Sequence, residues 1–80
     1  MFTHTTIAQE ITLQAYAFGV FDILFNKLDM GRDVVFNIFE DWATEFEQEE
    51  EKHRDDPDWF FFDEIDKLIL RKKAELTKEG

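Results

Sequence analysis

The chain has 80 residues, of which 44% are hydrophobic, and carries nineteen acids against nine bases for a formal charge of −10 at pH 7. Such a surface is repelled by DNA, RNA and anionic membranes, because affinity for phosphate comes chiefly from Lys and Arg; any electrostatic partner is basic, unless the charge serves only solubility. Cysteine is absent, which excludes disulfides and thiolate metal sites and fits a reducing cytoplasm.

A chain this short makes a single domain, 1–80, that buries only about 60 to 65% of the surface its unfolded form exposes. Ten Phe, two Trp and one Tyr compensate for the thin core, since each ring can bury roughly 150 to 250 Å². The longest apolar stretch, 15–25, is broken by Gly19 and Asp22. It is too short and too polar for a membrane span, and no basic start with a small-residue cleavage site precedes it.

Thr6 followed by Gln9 fits a capping box, in which a hydroxyl accepts from the third helical amide and Gln reaches back. From there Ile7, Ile11, Ala15, Phe18 and Phe25, with a parallel row of Leu13, Ala17, Val20, Phe21, Leu24 and Leu28, recur at three and four residues. The spacing predicts a helix over about 7–28, with Gly19 marking close packing or a kink. Residues 11–18 also alternate with a period of two, but no partner strand exists elsewhere. Asp29, Met30 and Gly31 interrupt the pattern, as a helix end and a new cap would.

A second helix is predicted over about 31–52, where Val35, Ile38, Phe39, Trp42, Ala43 and Phe46 form one apolar stripe. Asp56, Pro57 and Asp58 read as the cap and first turn of a third helix over about 57–77. Its inner face is Phe61, Phe62, Ile65, Leu68, Ile69 and Leu76, and Arg71, Lys72 and Lys73 suit its negative end. Short connections then imply an all-α, antiparallel three-helix bundle.

Charge is unevenly spread. Residues 31–56 hold ten acids against three bases, so seven of the ten net charges sit on the second helix and its exit. Glu40, Asp41, Glu45, Glu47, Glu49, Glu50 and Glu51, followed by Asp55 and Asp56, would line its outer side as adjacent acidic rows. Carboxylates three or four apart lie about 5 to 6 Å from one another and destabilise the helix by a few tenths of a kcal/mol per pair. Two such rows begin to imitate a phosphate ribbon, as a groove lined with Arg and Lys would meet it. A solvated helix face is the plainer alternative. In Trp59, Phe60, Phe61 and Phe62 four consecutive rings cannot all point inward; Phe60 is expected at the surface, and with Trp59 it would anchor a partner.

Catalysis finds no candidate residues: there is no Ser and no Cys, and Gly19, Gly31 and Gly80 are too far apart to cradle phosphate. Asp55, Asp56 and Asp58 lack the turn glycine of a calcium loop. Glu50 and His53 have the Glu-x-x-His spacing of di-metal bundles, yet a second copy of the motif would have to come from a dimer, and His53 pairing with a neighbouring carboxylate is the plainer reading. No enzyme, metal or cofactor is expected. In size and composition the chain is similar to the small, acidic, cysteine-free helical inhibitors that bacteriophages and mobile elements direct against restriction, CRISPR or repair enzymes. The expectation is an acidic inhibitor occupying the basic groove of a nucleic-acid-handling protein, without binding nucleic acid itself. The alternative is a homodimeric adaptor with a Phe60-centred aromatic contact.

Overall fold

The computed structural model describes residues 3–78, whose regular structure is all helical with no strand among them. Four helices follow in order: α1 His4–Ala17, α2 Val20–Asp22 continuing into a π-helical turn Ile23–Lys27, α3 Arg32–Lys52 and α4 Phe61–Thr77. Among the described residues no helix is long and apolar enough to cross a membrane. The all-helical expectation holds, and the count of three becomes four because the first predicted helix is divided.

The division falls at Gly19, whose φ of 81° is left-handed. A right-handed helix cannot pass through that conformation, and only glycine adopts it cheaply. A Cβ here would meet nothing closer than Lys73 Nζ at 3.9 Å. Backbone conformation, and not close packing, therefore requires the glycine. Lys73 in turn sits at the carbonyl end of α1, where a cation is favoured.

Helix α1 begins earlier than the capping box implies. Thr3 is the cap, its hydroxyl accepting from the Thr6 amide at 3.2 Å, so Thr6 belongs to the first turn. The π turn after α2 shifts register by one residue, with the Leu28 amide donating to the Ile23 carbonyl at 2.9 Å. Leu28 is consequently exposed, although a continuous α pattern would bury it. Asp29 takes the positive φ of 51° that ends the segment, and the extended Gly31 caps α3.

Helix α3 matches its expected span within a residue, and Val35, Phe39, Trp42, Ala43 and Phe46 are buried. Helix α4 starts four residues later than expected. Asp56 Oδ1 accepts from the Asp58 amide at 3.0 Å, forming an Asx turn in which Pro57 is a turn residue. Residues 59 and 60 then lead into the helix, Phe60 extended with φ −114° and ψ 125°. The period of two sends Trp59 and Phe61 toward Phe46, at 5.4 and 5.5 Å between ring centres, and turns Phe60 outward. Asp63 and Glu64 take the dipole position foreseen for Asp58. Phe62, expected inside, is exposed, while Ile65, Leu68 and Ile69 are buried as expected.

Helix α1 packs against both α3 and α4. Ile7, Ile11 and Ala15 of α1, with Val20 and Leu24 beyond it, join the α3 and α4 stripes in one core, and no polar residue is buried among the described residues. Phe61 meets Phe46 near the connection, and further along Lys72 lies 5.8 Å over the Trp42 ring, so α4 runs back beside α3. Arg71 and Lys72 lie short of the last turn, which holds no base; they reach across to α3 instead of serving their own helix end.

Candidate partner-binding surface

Helix α3 presents its acids on two flanks. Because its apolar stripe is held between α1 and α4, side chains 40 and 47 turn toward α1 and side chains 45 and 49 turn toward α4. The continuous outer ribbon foreseen from the sequence is thus divided.

On the α1 flank a single imidazole joins both carboxylates. His4 Nδ1 lies 2.6 Å from Glu47 Oε2, and Nε2 meets Glu40 Oε2. Both ring nitrogens can donate only in the imidazolium form. The hydrogen bond to Glu47, then that to Glu40, raises the pKa of His4 above 6.5. The bridge ties the start of α1 to the middle of α3.

On the α4 flank Lys72 Nζ lies 3.0 Å from Glu45, with Arg71 looser at 3.8 Å. Glu49 stands 3.7 Å from both Lys52 and His53. Beyond it Arg54 holds Glu51 at 2.8 Å. Asp41, Glu50 and Asp55 have no cationic partner among the described residues. Even the paired glutamates stay wet: the side chains of Glu40, Glu45, Glu47, Glu49 and Glu51 are 37 to 65% exposed. Exposed pairs of this kind are worth about 0 to 1 kcal/mol, so a stronger cationic partner can replace them.

Between α3 and α4 an open cleft of about 160 Å³ is lined by Phe46, Trp59 and Leu68, with Glu49, Glu64 and Arg71 among its polar groups. Trp59, named with Phe60 as a partner anchor, is half-buried as a wall of this cleft. It lies parallel to the His53 ring at 6.2 Å. Phe60 is 59% exposed, in the outward position foreseen. His53 sits at the C-cap of α3, facing Glu49 and Asp56, so it leaves the helical register that Glu-x-x-His requires. No group of three or more acidic or histidine residues poised for a metal occurs among the described residues.

Comparison with protein-family models, curated proteins and solved structures finds no match.

The sequence reading missed a second surface. Tyr16, Leu13 and Phe36 are exposed, although Leu13 belongs to one of the apolar rows from which the helix was predicted. The signal was available: the apolar residues of α1 wrap around the helix, more than a single stripe can bury.

Proposed function

We propose that the protein is a non-catalytic inhibitor that offers the carboxylates of α3 and its exit to a basic, nucleic-acid-binding groove on another protein, and so keeps DNA or RNA out. The supporting observation is that these carboxylates remain at the surface. Asp41, Glu50 and Asp55 lack cations among the described residues, and the others are held only in exposed pairs. A groove rich in Arg gains by taking them over, since bidentate guanidinium contacts are stronger than the pairs they replace. Phe60, exposed beside Asp58 and Asp63, supplies an apolar contact, and the cleft at Trp59 has room for one inserted side chain. Restriction, CRISPR and repair enzymes have grooves of this chemistry, which makes a phage or mobile element the fitting source.

Immobilised protein, challenged with bacterial lysate, should retain a nucleic-acid-binding protein that duplex DNA releases. Combined substitution of Asp41→Asn, Glu50→Gln and Asp55→Asn should weaken retention without altering helical circular dichroism, because these groups support no internal pair. Retention equal to that of the unsubstituted chain in moderate salt would overturn the electrostatic mechanism.

A further inference from the structure

Helix α1 opens on a histidine, and its first turn carries no acid. A cation is disfavoured at that end of a helix, where the macrodipole is positive, so nothing in α1 itself favours a protonated His4. The charges that do so come from α3. Glu40 and Glu47 stand two turns apart, about 10 Å along the axis, and one ring reaches both: Nδ1 lies 2.6 Å from Glu47 Oε2, and Nε2 meets Glu40 Oε2. Among the described residues no charged group of α4 acts on His4, and the next charged residue of α1 is Glu10, more than a turn away. No other ion pair among the described residues holds Glu40 or Glu47. The His4 side chain is 38% exposed, so the ring exchanges its proton freely with water.

We propose that His4 is a proton-operated latch on the acidic face: as imidazolium it holds Glu40 and Glu47 against α1, and on losing its proton it yields them to a cationic partner. The chemistry of the ring sets the two states. An imidazolium donates from both nitrogens, whereas a neutral imidazole has one N–H and one lone pair. Neutral His4 therefore donates to one carboxylate and turns a lone pair toward the other, which must leave. The bond that remains has lost its ion-pair attraction, and a guanidinium with its paired donors displaces it. Hydrogen bonding to Glu47 and then to Glu40 raises the pKa of His4, so the ring keeps its proton beyond 6.5 and opens as the solution turns alkaline. His53 also faces two carboxylates, Glu49 at 3.7 Å and Asp56 at 3.5 Å, but neither is as close and both belong to its own stretch of chain, so it ties no second helix. The inference rests on the partner-binding reading and divides its carboxylates in two. Asp41, Glu50 and Asp55 are offered whether or not His4 is charged, and Glu40 and Glu47 join them once it is neutral.

An NMR titration of the unsubstituted protein tests the latch without any partner. The side-chain carboxylate carbons of Glu40 and Glu47 should shift together with the His4 ring, at a common midpoint above 6.5. Carboxylates that ignore the ring, or a midpoint at or below 6.5, would overturn the proposal. Release to a partner is read in a His53→Gln background, where His4 is the only imidazole, with a fluorescently labelled oligo-arginine peptide as the probe. Between about pH 6 and about pH 9, where carboxylates and guanidinium keep their charge, affinity for the peptide should rise. Its slope should reach at most about tenfold per pH unit, because one proton is linked to binding. His4→Gln in the same background should lose most of that rise and bind as tightly as its parent does at the alkaline end. A rise of equal size in His4→Gln would overturn the latch and leave partner binding intact. Affinity unaltered by neutralising Asp41, Glu50 and Asp55 would instead overturn the partner-binding reading, and a peptide that stays unbound at every pH would overturn both.

Discussion

Gly19 and Gly31 look equivalent in the sequence, each standing near a break in a hydrophobic pattern, yet only Gly19 is left-handed. Gly19→Ala should destabilise the protein by about 1 to 2 kcal/mol, the penalty of that conformation for an L-residue. Gly31→Ala should cost less, about 0.5 to 1 kcal/mol, because alanine is a poorer helix cap than glycine but meets neither strain nor a clash where the backbone is extended and its surroundings are open. Urea unfolding of both variants checks the contrast. His4 offers a second residue-level test. Its folded pKa is raised above 6.5 by Glu47 and then Glu40, so the bridge contributes fully below about pH 6.5 and is lost as pH rises through the folded value. The stability lost in His4→Gln should therefore be largest at mildly acidic pH and shrink under alkaline conditions. A pH-independent difference would mean that the bridge does not form in solution.

Among the elements, α4 depends on the extended segment that precedes it. Phe61 is buried against Phe46, whereas Phe62 is largely exposed. Phe61→Ala should cost about 3 to 5 kcal/mol, and Phe62→Ala less than about 1 kcal/mol, as read from denaturation midpoints. Helix α3 was legible from the sequence because one stripe of period 3.6 coincides with its buried face. Three features elsewhere were not. An Asp-Pro-Asp run serves equally as a helix start or as a turn, and the burial of Trp59 beside Phe46 decides for the turn. A glycine inside an apolar run gives no sign of φ, so a kink and a full break read alike. The π turn that exposes Leu28 leaves no compositional mark. The candidate acids were all identifiable by type, but their assignment to flanks was not, because it depends on His4 and on Arg71 and Lys72 arriving from other helices.

For the molecule as a whole, composition puts charge and oil in different places. Acids are concentrated on α3 and its exit, while residues 11–21 contain none. The internal cations reach many of the acids, yet the carboxylates of these pairs stay exposed, where salt screens them and their net worth is small. Partner binding through the acids should weaken steeply as salt rises. The most direct measurement is displacement: labelled duplex DNA held by the captured partner, titrated with this protein and followed by fluorescence anisotropy. Release of the DNA at stoichiometric protein, with a clear loss of potency for Asp41→Asn, Glu50→Gln, Asp55→Asn, is the predicted result. DNA that stays bound while the two proteins associate, or equal potency of the neutralised variant, would contradict the account.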